Sequence, residues 1–158
     1  MKTAISFSLK FSSLILISIA FFALTSCDKN DNDNKGMYTI SGNSSGSQAV
    51  PPVTGGATGT IAGTYNANTN LLSYTIAWTG LTASASSSAF YTGSSGTNGT
   101  LLENTTITTA GSTGASVGTL TLSDAQETAL LNGSMYYVVG TPTHTSGEIR
   151  GQITATAQ

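Results

Sequence analysis

Cysteine is almost absent. The 158-residue chain holds one, Cys27, so no internal disulfide can form, and the folded part must be held by packing and backbone pairing alone. Charge is scarce too: five Lys and Arg stand against seven Asp and Glu, 8% of all residues. The four lysines fall at positions 2, 10, 29 and 35, which leaves Arg150 as the sole cation of the remaining chain. Recognition of nucleic acid needs a basic stripe or patch against the phosphate backbone, and this composition excludes one. Histidine is reduced to His144. A metal site commonly takes three or four convergent ligands, so neither a metal nor another cofactor is expected. The serines have no second histidine or lysine to activate them, and no catalytic triad motif is visible. The expected class is therefore not an enzyme. Long hydrophobic runs are also missing. The longest, Phe11–Leu24, has 14 residues, short of the roughly 20 needed to span a bilayer.

What is present begins with that run. Lys2 and Lys10 flank it, and the small residues Thr25 and Ser26 follow it, which is the layout of a secretory signal. Leu24-Thr25-Ser26-Cys27 resembles the lipobox of bacterial lipoproteins. The resemblance implies cleavage before Cys27, a signal peptide over 1–26, and a lipid on the Cys27 sulfur that makes the membrane a partner. The competing reading is an uncleaved anchor with an incidental cysteine. One acyl chain anchors only marginally, so stable attachment takes more than one. Residues 27–36 continue with Asp28-Lys29-Asn30-Asp31-Asn32-Asp33-Asn34-Lys35-Gly36, a polar run that buries nothing and reads as a flexible tether. As a flexible coil, those nine residues hold the domain about 15–18 Å from its anchor. The acidic character resembles an export signal to the outer membrane, whereas an aspartate directly after the cysteine is an inner-membrane retention signal in other bacteria. The expected location is the cell envelope, with the outer membrane favoured and its leaflet open.

Residues 37–158 fit one domain, and their dominant period is two. Leu72, Tyr74, Ile76 and Trp78 alternate with Ser73, Thr75, Ala77 and Thr79, the pattern of a half-buried strand. Gly118, Leu120 and Leu122 alternate with threonines, and Ile149, Gly151 and Ile153 with Glu148, Arg150 and Gln152. Weaker strand signals lie at 37–41, 57–65 and 101–108. The segment 134–140 contains Met135-Tyr136-Tyr137-Val138-Val139, apolar at every position, which predicts a central strand. Asn66-Ala67-Asn68-Thr69-Asn70 predicts a hairpin loop, Pro51-Pro52 a connection or edge, and the Gly/Ser-rich stretch 92–100 a long surface loop. Ser123 with Gln126 forms a capping box, and Asn132-Gly133 a stop. They bracket a two-turn helix that is too short to stand alone and must dock through Leu130 or Leu131. These elements predict an all-β fold: an antiparallel, Greek-key-like β-sandwich of seven to eight strands with one short helix near 124–131. A closed barrel is the alternative.

Five motifs in order resemble CHRD domains, the module first noted in chordin and widespread in bacteria. They are Gln48-Ala49-Val50-Pro51-Pro52; Ala57-Thr58-Gly59-Thr60 with Leu72-Ser73-Tyr74-Thr75 and Gly80-Leu81; Gly118-Thr119-Leu120-Thr121-Leu122; Ala129-Leu130-Leu131-Asn132-Gly133; and Tyr136-Tyr137-Val138-Val139 with Gly147-Glu148-Ile149-Arg150-Gly151-Gln152-Ile153. The resemblance covers nearly all of 38–155. It also marks departures. Ala89-Phe90-Tyr91-Thr92-Gly93 stands where the family pattern carries Ala-His-Ile-His-Gly, Gly140 where it carries a further histidine, and Ala49 where it carries glutamate. The resemblance then implies that metal or polar chemistry supported by those histidines elsewhere is missing here.

Two candidate sites follow. Glu148 and Arg150 lie two apart on a strand and share a face. They predict a structural role, either a cross-strand ion pair or a guanidinium bonded to loop carbonyls, with recognition of an anion as the rival reading. Phe90 and Tyr91, beside the Gly/Ser loop, are candidates for exposed contact with a ligand, with a place in the core as the rival reading for Phe90. The expected function is that of a lipid-anchored envelope protein with a non-enzymatic binding or structural module. Its alternatives are a surface adhesin for an unknown protein or glycan ligand, and a metal-binding envelope protein or enzyme.

Overall fold

Ten strands, one α-helix and a single 3-10 turn at Gly46–Gln48 make up the regular structure of residues 36–158, the part of the chain that the computed structural model describes. The expected signal segment, Cys27 and nearly all of the tether lie outside the described residues. The strands are β1 (Met37–Ser45), β2 (Thr58–Asn66), β3 (Leu71–Thr79), β4 (Ser87–Thr92), β5 (Thr100–Asn104), β6 (Ile107–Thr109), β7 (Gly114–Thr121), β8 (Met135–Thr141), β9 (His144–Gln152) and β10 (Thr154–Ala157). Helix α1 covers Asp124–Leu131. All pairings are antiparallel, in the order β5-β4-β8-β9-β1-β2-β3-β7-β6, with β10 continuing the line of β9 along β1.

The all-β class and the short helix agree with expectation, but the sandwich does not. The strands form a single sheet of ten rather than two sheets of seven or eight in total, and it curls into a half-barrel. The extent of the curl is set by the core. Phe90 on β4 meets Tyr74 on β3 edge to face, with ring centroids 4.8 Å apart, although five pairings separate those strands along the sheet. The two outermost strands, β5 and β6, are consecutive in the chain with only Thr105 and Thr106 between them. The edges are thus brought within one short link of each other without pairing. Both are short, and each is irregular where it meets its neighbour, which blunts an open edge.

Three strands escaped the sequence pattern. Ser87-Ser88-Ala89-Phe90-Tyr91-Thr92 has no polar alternation because β4 is buried on both faces for half its length. The expected strand over 101–108 breaks into β5 and β6, since the chain there leaves one sheet edge for the other. The last strand divides at Ile153, whose N–H turns to the Met135 carbonyl at 2.9 Å.

Glycines and aromatics share rungs of the ladder. Tyr74 lies between Gly63 and Gly118, Trp78 between Gly59 and Gly114, and Tyr137 opposite Gly151. The rings lie over three of these glycines, Gly114, Gly118 and Gly151: a Cβ on Gly114 would sit 2.8 Å from the Trp78 ring, and one on Gly151 2.8 Å from the Tyr137 ring. The glycine leaves room on the inner face and the ring fills it, a pairing that restores the contact a bare backbone lacks. The resulting core joins Ile40, Ile61, Leu72, Ile76, Tyr137 and Ile149 with Phe90 and Leu130, all nearly or fully buried. Burial pushes the Tyr65 hydroxyl up to about 12, helped by the negative charge of Glu127 beside it, and burial does the same for Tyr137.

Helix α1 forms as its caps demand. The Ser123 N–H donates to Gln126 Oε1 at 2.9 Å. At the other end Gly133 takes φ +74°, while Ser134 N–H reaches the Ala129 carbonyl at 2.8 Å and Gly133 N–H the Leu130 carbonyl at 3.2 Å, a Schellman motif. Of the two candidate docking residues, Leu130 is fully buried and Leu131 is exposed.

Candidate functional site

Strand β9 is buried on both faces over Gly147–Gly151. One face supplies Ile149 to the core. The other carries Glu148, Arg150 and Gln152, which period two sets in a row, beneath connections that leave the sheet. Glu148 binds the β3–β4 connection, Arg150 and Gln152 both bind the β4–β5 loop, and Gln152 also binds the turn after α1.

Glu148 is 1% exposed. Its Oε1 accepts from the Thr82 N–H at 2.7 Å, and its Oε2 from the Thr82 and Thr141 hydroxyls at 2.8 and 2.7 Å. Burial works against the charged form, but the hydrogen bonds from Thr141 and Thr82 outweigh it and hold the carboxyl below the usual glutamate range. The nearby His144 side chain acts in the same direction. A carboxylate so saturated stays ionised at neutral pH. It is an acceptor that fastens the β3–β4 connection to β9, and its shift runs opposite to what a general acid needs.

Arg150 is 3% exposed. Its guanidinium carbon lies 3.8 Å from the Tyr136 ring centroid, and Tyr136 in turn stacks on Tyr91 at 5.3 Å. One terminal nitrogen donates to the Ser94 carbonyl at 2.8 Å and to Gln152 Oε1 at 3.4 Å, while Nε has no partner. Gln152 donates to the carbonyls of Gly93 and Gly133 at 2.9 and 2.8 Å. The Tyr136 hydroxyl accepts from the Gly99 N–H at 2.9 Å, and Asn98 donates to the Val50 carbonyl at 3.1 Å. The loop between β4 and β5 is thereby fastened at both ends over a cationic and aromatic floor.

Glu148 and Arg150 share a face as expected; no ion pair joins them, and the other expected arrangement, a guanidinium on a loop carbonyl, is the one formed. Glu148 is committed to hydroxyls and a backbone N–H, Arg150 to a ring and a carbonyl, because different loops lie over each. For Phe90 the exposed contact is corrected in favour of the core. This residue is fully buried against Tyr74 rather than exposed, since the inward face of β4 meets β3 across the curled sheet. Tyr91, on the opposite face, is half-buried under the stack with Tyr136. His144 is partly exposed at the start of β9, and among the described residues no three His, Cys, Asp or Glu side chains converge as a metal set would. Gln152, Tyr136 and Thr82 were not singled out from the sequence. Extending the Glu148–Arg150 spacing by two more positions reaches Gln152, whereas Thr82 lies 66 residues before Glu148 in the chain and gives no local signal.

The second surface of note is the outer face of β10, β1, β2, β3 and β7. Thr156, Thr39, Thr64, Ser73 and Thr119 stand in one row across these strands. Neighbouring rows add Ser41, Thr75 and Thr60 with small apolar residues. No charged side chain stands on this face.

The CHRD domain family model matches residues 40–153 of the chain. The chain belongs to the CHRD domain family. Comparison with curated proteins and with solved structures returned no match.

Proposed function

We propose that this CHRD-family chain is a lipid-anchored protein of the bacterial cell envelope whose domain works as a non-enzymatic binding module. The observation that carries the second half of this reading is the state of the β9 strip. The charged groups best placed for chemistry, Glu148 and Arg150, are both at least 97% buried and fasten loops. With those groups serving the scaffold, the broad uncharged outer face is the surface left to meet a partner. The first half of the reading rests on Leu24-Thr25-Ser26-Cys27 and the polar run that follows it.

The anchor is tested by Cys27→Ser in cells fed a palmitate analogue. The wild-type chain takes up the label and is processed, while the variant is unlabelled and accumulates as a longer precursor. Labelling of the variant to the wild-type level refutes the anchor. Surface proteolysis of intact cells then separates an outward-facing module from a periplasmic one.

A further inference from the structure

The outer face of β10-β1-β2-β3-β7 is an array rather than a scatter of threonines. The antiparallel register aligns Thr156, Thr39, Thr64, Ser73 and Thr119 side by side. With strands about 4.8 Å apart, five such residues make a hydroxyl ladder roughly 19 Å long. A second row two residues along repeats it with Ser41 and Thr75 flanking Ala62. Two open clefts lie on this same face. One of about 430 Å³ is walled by Asn43, Thr58, Thr60 and Thr79 together with Ala77 and Trp78, and one of about 400 Å³ by Thr64, Ser73, Thr75 and Thr119 together with Ala62, Tyr74 and Val117, so that hydroxyls alternate with apolar surface.

The chemistry of the face selects its occupant. A nucleic acid or an anionic membrane surface needs cations, and none is here. A second copy packed sheet on sheet needs interdigitating large apolar side chains, whereas the apolar residues across the middle of this face are Ala62, Ala77, Ala115 and Val117, with Met37 and Leu71 only in the row at its end. A crystalline lattice needs a plane, but neighbouring strands turn by roughly 20–25° and the twist accumulates across five of them. What remains is a flexible, uncharged, polyhydroxylated chain. Each threonine offers a hydroxyl that both donates and accepts beside a methyl group. That pair matches the O–H edges and C–H faces of a sugar ring. Without an aromatic platform each rung binds weakly, so affinity must come from many rungs engaged by one polymer.

We infer that this threonine face binds a neutral polysaccharide, with Thr64 and Thr75 at its centre. The inference rests on the binding-module reading above and names the partner class.

The test uses the full-length chain, purified from membranes in mild detergent and pulled down on insoluble β-glucan, xylan and mannan, with alginate as an anionic arm. The wild type is retained on a neutral polymer, and short oligosaccharides of the same sugar fail to compete. The Thr64→Lys/Thr75→Lys variant loses at least 10-fold in retention. Thr64→Val/Thr75→Val keeps the branched shape, removes the hydroxyls and loses binding as well, which separates contact from misfolding. Retention unchanged in both variants overturns the face assignment while leaving a binding module in place. Absence of retention on every neutral polymer, or preference for alginate, overturns the partner class. A wild-type dimer in sedimentation that the lysine variant splits assigns the face to a second copy instead. None of these outcomes touches the palmitate result.

Discussion

Removing the Glu148 carboxylate tests the β9 strip directly. In Glu148→Ala three donors lose their acceptor: the Thr82 N–H and the hydroxyls of Thr82 and Thr141. Both hydroxyls have a fallback, since each already lies 3.1 Å from the Thr143 hydroxyl. The backbone N–H has none. One orphaned donor costs about 1–3 kcal/mol, and hydrogen bonds to a charged group contribute about 1.5–3 kcal/mol each before re-pairing. With two of three bonds partly recovered, the net loss comes to about 3 kcal/mol. In a domain of this size that lowers Tm by about 10 °C. Glu148→Gln keeps the shape and one acceptor oxygen, and is expected to lose about half as much.

The same site sets an acid response. The folded-state pKa of Glu148 is lowered from an ordinary value of 4.5. Its contribution is therefore present above that pH and lost as the pH falls below it, through the folded-state value. Urea unfolding at steps from about pH 7 to about pH 3 should show wild-type stability falling more steeply than that of Glu148→Gln across the acid limb. Parallel curves, or a loss below about 1 kcal/mol in Glu148→Ala, would refute the view that this carboxylate fastens the β3–β4 connection.

Two further outcomes test the packing. Gly151→Ala places a Cβ 2.7 Å from the Asn43 carbonyl oxygen and 2.8 Å from the Tyr137 ring; denaturant unfolding should show a loss of about 2–3 kcal/mol, against no measurable change for Gly56→Ala, where nothing lies within 4 Å. Leu130→Ala should cost about 2–4 kcal/mol by the same assay, and the exposed neighbour Leu131→Ala under about 0.5 kcal/mol; equal losses would mean that the helix docks on a different face.

Much of the local structure was legible because it depends on neighbours in the chain. Leu72–Trp78 alternates because one face of β3 is wet. The capping box and Asn132-Gly133 stop bounded α1 to the residue. Strand β4 was hidden for the converse reason: buried on both faces, it has no polar alternation to show. Of the two arrangements expected for Glu148 and Arg150, the bond to a loop carbonyl formed and the ion pair did not, because a shared face says nothing of which loops lie above it.

The chain by itself thus determined the period-two strands, the helix with its ends, the scarcity of charge, and the family pattern that runs from Gln48 to Ile153. Those properties follow from short-range backbone geometry and composition. Tertiary structure alone decided that ten strands make one curled sheet, that Phe90 meets Tyr74 across it, and that Thr82 and Ser94 come to Glu148 and Arg150. It also decided that threonines scattered over more than 100 residues stand in one row, because strand register is a long-range pairing choice that no local stretch encodes.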